Sequence, residues 1–254
     1  MSRTQKANEN FEKWFGGETF TNGYTDAEFE SIAKNFLWGD ASEHWALSDK
    51  QMAIVILTTL TASGTYEVLE KYASAALRAG VSANEIRETL IHCTPYVGME
   101  KVNLALKEAY KAFEKAGVAD TVTDQGTVDE NTRFSEGLAV QQQIFGKDNI
   151  NNMRDSAPQE TKHIQDYLSA YCFGDFYTRK TLDLKMRELI TFCAICTLGG
   201  CEPQAKAHAS ANISVGNTRG MLIDAVTMCL PFIGFPRTLN AISCIDAATN
   251  NGEL

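Results

Sequence analysis

Residues 185–208, KMRELITFCAICTLGGCEPQAKAH, hold the pattern from which the rest of the chain can be read. Apolar residues crowd the stretch from about Leu184 to Thr197 with no strand-like alternation, which predicts a helix; Gly199-Gly200 breaks it, and Glu202-Pro203 opens a second helix, since proline fits a first helical turn. Cys201 then falls at or just before a helix N-terminus. Exposed N–H groups and the positive end of the helix dipole favour a thiolate there, although a small buried cysteine packing a helix junction has the same pattern. His208, seven residues on, shares a helix face with Cys201 at ~10 Å along the axis. Gln204, one turn from each, or a water could bridge them, letting His208 act as general base or acid near neutral pH. The plainer reading makes His208 a satisfied core or interface histidine among Ala205, Ala207 and Ala209. Glu188 stands near the start of the apolar run. It either forms a surface ion pair with Arg187 or Lys185, or points inward as a proton donor. Cys193 and Cys196 form a C-x-x-C inside an apolar helix with no second cysteine pair or nearby histidine, so they read as core packing rather than a redox or zinc motif.

Outward from this stretch, the chain repeats itself at a constant offset of 136 residues. Ile54 meets Ile190, Thr61 meets Thr197, Gly64 meets Gly200, Ala73-Ser74-Ala75 meets Ala209-Ser210-Ala211, and Gly80 meets Gly216. Cys93, Pro95, Gly98 and Ala105 meet Cys229, Pro231, Gly234 and Ala241, and with one residue of slippage Trp38-Gly39-Asp40 meets Phe173-Gly174-Asp175. Shared glycines and prolines mark places where a helix must stop or two helices approach closely. The polar, aperiodic stretch ADTVTDQGTVDENT, residues 119–132, reads as a linker between residues 1–118 and 133–254. We therefore expect an all-α chain of two tandem helical domains. The halves differ in chemistry: Glu188 faces Met52, Cys201 faces Thr65 and His208 faces Tyr72, so the second half holds the candidate site and the first reads as a degenerate scaffold. Arg237, matched by Lys101, could hold an acidic ligand or an interface carboxylate, or be a solvated charge. His44, His92 and His163 lie apart from any cluster and receive no role.

Composition narrows the function classes. The chain has 254 residues, enough for a sizeable core without staples. Its seven cysteines are an odd count with no compact framework, and MSRTQKANENFEKWF lacks an apolar signal core, which predicts a reduced, cytoplasmic protein. A balance of 23 basic and 32 acidic residues, net −9, provides no field for sequence-independent nucleic-acid binding. The longest purely aliphatic run, Ala53 to Leu57, is far short of the ~20 residues of a membrane span.

The stretches RFSEGLAVQQQIFG, FGDFYTRKTLDLKMREL, GGCEPQAKAH and VGNTRGMLIDAVTMCLPFIGFPRTLNA, in that order from Arg133 to Ala247, resemble a carboxymuconolactone decarboxylase domain of the alkyl hydroperoxidase D-like kind. FLWGDASEHWALSDKQM, ASGTYEVLEKY and TPYVGMEKVNLAL resemble a second, degenerate copy. The resemblance implies an all-helical fold, cofactor-free and without metal, whose protomers form rings; a tandem chain could build such a ring as a homotrimer. It also implies one of two chemistries. In the first, Glu188, Cys201 and His208 occupy the Glu, first-Cys and His positions of a thiol relay that reduces hydroperoxides. Gln204 stands where the second cysteine belongs, so a sulfenic acid on Cys201 would be resolved by an external thiol, or by Cys196 if it is close. In the second, a carboxylated lactone such as 4-carboxymuconolactone loses carbon dioxide, with His208 protonating the carbon and Arg237 holding carboxylates. A third possibility is a non-catalytic, ring-forming binding protein.

Overall fold

The computed structural model describes residues 1–16, 26–41 and 47–249; His44 lies outside these. Among the described residues there is no strand. The first half runs α1 (Arg3–Phe15), α2 (Ala27–Lys34) continuing into a π-helical stretch Asn35–Asp40, α3 (Asp49–Ser63), α4 (Leu69–Arg78), α5 (Ala83–His92), the single turn α6 (Thr94–Val97) and α7 (Met99–Lys115). The second half follows with α8 (Arg133–Phe145), α9 (Lys147–Asp155), α10 (Lys162–Tyr167) continuing into a π-helical stretch Leu168–Tyr177, α11 (Leu184–Leu198), α12 (Glu202–Ser214) and α13 (Arg219–Thr249). Capping boxes at Ser2/Gln5, Ser48/Gln51 and Ser82/Glu85 start α1, α3 and α5, satisfying N–H groups that a helix cannot bond internally.

The central helix of each half is buried all round, from Met52 to Ala62 in α3 and from Arg187 to Thr197 in α11. A helix apolar on every face has to be enclosed, and these two enclose each other by packing together at the middle of one continuous core. Cys93, Cys193, Cys196 and Cys229 sit in that core, as their sequence context predicts. The stretch 119–132 is pinned to both halves. Asn84 Nδ2 donates to the Thr121 carbonyl at 3.2 Å, Lys180 N donates to the Gln125 carbonyl at 3.0 Å, and Thr127 Oγ1 donates to the Thr178 carbonyl at 2.9 Å.

The structure extends the repeat further than the alignment at constant offset. α1 corresponds to α8, because each crosses its π-helical stretch backbone to backbone at a glycine. A Cβ on Gly39 would collide with the Arg3 carbonyl, and one on Gly174 with the Arg133 carbonyl. Arg3 pairs with Asp40 at 2.8 Å, and Arg133 Nε with Asp175 at 2.8 Å. Here the offset on the α1/α8 side is 130 residues, since the connecting segments differ in length. α13 meets the length and apolarity needed to cross a membrane, yet it contains Pro231 and Pro236 and breaks at Gly234 (φ 77°, ψ 167°). The pieces 219–233 and 235–249 are each shorter than the ~20 residues of a span.

Candidate active site

α11 and α12 meet at Gly199-Gly200, whose φ values of 69° and 70° belong to the left-handed region that glycine enters freely. This turn sets Cys201 at the N-cap of α12, with Pro203 in the first turn. No helix N–H donates to the sulfur, contrary to the sequence expectation: Cys201 Sγ is 3.5 Å from the Gly199 carbonyl, because the cap residue's backbone (φ −124°, ψ 37°) turns the side chain toward the glycine turn. Of the seven cysteines, six are buried and Cys201 alone is partly exposed.

Cys201, Gln204 and His208, successive residues on one face of α12, line a cavity of about 660 Å³. α12 thus presents the three together, as their spacing predicts. The remaining wall is largely apolar and aromatic, with Phe145 from α8, Tyr171 and Phe173 from the second π-helical stretch, Ile164 and Tyr167 from α10, and Ile195 and Leu198 from α11. Among the described residues no lysine, arginine, aspartate or glutamate lines it. Such a concave, apolar site with a few polar groups suits a small organic ligand. Pro95 and Tyr96 of α6 also line it, so the first half supplies part of the wall.

Glu188 is fully buried and points inward. It pairs neither with Arg187 nor with Lys185; His208 Nδ1 lies 2.8 Å from its Oε2, and Tyr177 OH donates to its Oε1 at 2.7 Å. Asn212 Nδ2 donates to the Glu188 and His208 carbonyls at 2.9 and 2.7 Å, locking α11 to α12. With Nδ1 engaged, Nε2 of His208 is the ring nitrogen left for proton transfer. Phe145 and Tyr96 stand edge-on to the imidazole at 5.4 and 6.1 Å.

Arg237 is outside this cavity. It lies over Gly199, where an added Cβ would be 3.0 Å from its Nε, and faces a small cleft on the other side of Cys201, lined also by Cys196, Glu202, Asn240 and Cys244. Its repeat counterpart Lys101 caps the end of α3, donating to the Ala62 carbonyl at 2.9 Å. Lys101 and Tyr72 do not line the cavity. Among the described residues no group of three or more His, Cys, Asp or Glu could hold a metal ion.

Sequence reasoning missed Tyr177, Tyr96, Thr191, His92 and Arg187. Tyr177 OH is 2.9 Å from Thr191 Oγ1 and accepts from Tyr96 OH at 3.1 Å. His92 Nε2 is 3.2 Å from Thr191 Oγ1, and its Nδ1 is 3.3 Å from an Arg187 guanidinium nitrogen. Burial, then the Arg187 cation, hold the His92 imidazole well below its ordinary value, so it is neutral at pH 7. Burial raises the Tyr177 and Tyr96 phenols well above theirs and pushes the Cys172 thiol, also on the cavity wall, up to about 12. These phenols remain protonated donors, and Cys172 is the unreactive cysteine of the wall. The repeat held a signal for this group: His92, Tyr96, Thr191 and Glu188 face Met228, Phe232, Val55 and Met52 at the offset of 136.

A sequence profile of the carboxymuconolactone decarboxylase family matches residues 27–111 and 162–247. The chain is similar to a 4-carboxymuconolactone decarboxylase of Acinetobacter baylyi, 27% identical over 92 residues that span 36% of this chain and 69% of that protein. Its fold is like that of a crystal structure described as a gamma-carboxymuconolactone decarboxylase subunit from Burkholderia xenovorans LB400, with a TM-score of 0.54, 15% identity and 99% of both chains covered.

Proposed function

This chain belongs to the carboxymuconolactone decarboxylase family, and on that premise we propose that it is a cysteine-dependent peroxidase acting on organic hydroperoxides at the α12 cavity. The observation that carries the reading is the joint presence of the one partly exposed cysteine and a carboxylate-backed histidine on the wall of a largely apolar cavity that no described lysine or arginine lines. In the reaction, the Cys201 thiolate attacks the terminal hydroperoxide oxygen and the O–O bond breaks. Sulfur is oxidised to sulfenic acid, and the alkoxide leaves with a proton delivered through His208. Because Gln204 occupies the resolving position, an external thiol condenses with the sulfenic acid and releases water, and a second thiol frees Cys201 as the donor disulfide forms. Glu188 holds the imidazole in the required orientation, the role of the third group in nucleophile–base arrangements.

The decarboxylase names of the similar proteins favour a second reading, loss of carbon dioxide from a carboxylated lactone with His208 protonating the product carbon. Against it stands the placement of Arg237, the residue assigned to the substrate carboxylates, outside the cavity. Coupled assays separate the two. Thiol-dependent consumption of cumene hydroperoxide that is lost in Cys201→Ser supports the peroxidase; carbon dioxide release from 4-carboxymuconolactone that survives Cys201→Ser would replace it.

The chain is further proposed to work as a homotrimeric ring. Met99 and Phe235, at equivalent repeat positions, are 68% and 60% exposed, which supports a self-association surface used by both halves. Light scattering should report three chains per particle, and a monomer would contradict this.

A further inference from the structure

The hydrogen bonds behind Glu188 can all be satisfied in one direction. An arginine can donate but not accept, so the 3.3 Å contact between Arg187 and His92 makes His92 Nδ1 the acceptor. A neutral imidazole that accepts at Nδ1 carries its proton on Nε2, which therefore donates to Thr191 Oγ1. The Thr191 hydroxyl proton is left to serve the Tyr177 oxygen at 2.9 Å, which also receives the Tyr96 proton. With its oxygen accepting twice, Tyr177 spends its own proton on Glu188 Oε1 at 2.7 Å. Arg187 starts the chain in a fixed pose, donating from Nε to the Leu182 carbonyl and from its terminal nitrogen to the carbonyls of Arg179 and Lys180.

We infer that the first half of the chain directs the active-site proton relay: His92 and Tyr96, acting through Thr191 and Tyr177, orient their hydroxyl and imidazole protons toward Glu188 Oε1, whose companion oxygen Oε2 faces His208 Nδ1. His92 and Tyr96 are positioning residues, and the inference rests on the Glu188–His208 pair being the relay of the proposed reaction. A second observation points the same way. The four repeat-related residues of the chain are polar here and apolar in the other copy, where Met52, Val55, Met228 and Phe232 stand at the positions of Glu188, Thr191, His92 and Tyr96. The groups that face the Glu188 carboxylate and the hydrogen bonds behind it are Tyr177 and Cys172 from the second π-helical stretch, Tyr96 from α6, His92 from α5 and His208 from α12, with Arg187 of α11 set against His92 and the Glu88 carboxylate of α5 3.9 Å from Arg187. Donors aimed at Glu188 stabilise the carboxylate most when its neighbour His208 is neutral. Removing a donor therefore makes the pair hold its last proton to higher pH.

The chain holds four histidines, so isotope-labelled imidazoles can be followed individually by NMR titration in the intact protein without any substrate. Tyr177→Phe, which keeps the ring and deletes the donor, should move the His208 midpoint upward by a measurable amount of up to about one pH unit, the limit set by one charged hydrogen bond. His92→Leu should move it in the same direction by less. His92→Gln should leave it at the wild-type position, because a glutamine amide can accept from Arg187 and donate to Thr191. Tyr96→Phe should give a small upward shift, and substitutes for His92→Leu if that variant does not fold. No shift in Tyr177→Phe, or a His92→Gln shift as large as that of His92→Leu or Tyr96→Phe, would overturn the inference. The titration reads the chain alone, so its failure is distinct from retention of peroxidase activity in Cys201→Ser, which would overturn the proposed reaction instead.

Discussion

The two halves build one aromatic frame twice and equip it once. Phe15 stands edge-on to Trp38 at 5.6 Å and to Tyr72 at 5.5 Å in the first half; Phe145 stands edge-on to Phe173 at 6.0 Å and to His208 at 5.4 Å in the second. Each half also receives a ring from its partner, Phe232 on Tyr72 at 6.0 Å and Tyr96 on His208 at 6.1 Å. In the first half Phe11, Trp14, Phe15 and Trp38 are buried around a buried Tyr72. In the second half the same frame leaves room for a cavity. The packing tolerates either Tyr or His at the shared position, so the imidazole is a matter of chemistry rather than of folding.

That comparison can be broken most severely by making the second half resemble the first. His208→Tyr should keep the helical fold, as circular dichroism and thermal melting would show, while peroxidase activity falls by about 10²–10⁴-fold, the usual scale for a lost acid–base group. Retention of activity would mean that the imidazole is only a packing residue. Next in size is the ion cluster that joins the halves. Fully buried Glu88 accepts from Arg179 at 2.8 and 2.9 Å and from Arg87 at 3.0 Å. Glu88→Gln should lower stability in urea by about 3–5 kcal/mol, because it leaves the half-buried Arg179 and Arg87 and the fully buried Arg187, 3.9 Å from Glu88, without their counter-charge. A loss below ~1 kcal/mol, the scale of an exposed pair, would contradict a structural role for this cluster.

Acid should act on the asymmetric half of the network. His92 is neutral when folded because burial disfavours its charged form, whereas an unfolded histidine takes up a proton near pH 6.5. Its folded value is lowered, so the unfolded state binds more protons below about pH 6.5 and stability falls as pH drops, by up to about 1.4 kcal/mol per pH unit. Thermal melts of His92→Gln should show a shallower acid limb, and an unchanged limb would mean that His92 is not the group being titrated. The smallest expected effect is that of Arg237→Ala, less than about twofold on hydroperoxide consumption given its position outside the cavity. A hundredfold loss would make Arg237 part of the hydroperoxide site, against its position outside the cavity.

The sequence made the helices, the repeat and the trio of Glu188, Cys201 and His208 visible for local reasons: periodicity, glycine and proline stops, and the departure of one copy from the other. What it hid was long-range. Tyr177 ends a π-helical stretch that shifts the offset between the copies, eleven residues and a turn before Glu188, and its place could not be read from helical spacing. His92 looked isolated because its partners, Thr191 and Arg187, are about 100 residues away along the chain. Arg187 passed for a surface charge, although α11 buries it completely beside the carbonyls of residues 179, 180 and 182. The correspondence of α1 with α8 escaped because the connections to the π-helical stretches differ in length, so no constant offset spans them. Testing each polar residue against an apolar partner in the other copy would have recovered His92, Tyr96 and Thr191 as a set.

The central claim is that only the second half carries a working thiol and that His208 activates it. Alkylation of the native protein at pH 7, followed by mass mapping, tests this most directly. The account predicts rapid labelling at Cys201 alone, slowed at least tenfold by His208→Ala and unaffected by Tyr72→Phe. Slow labelling at Cys201, or a rate indifferent to His208→Ala, would contradict it.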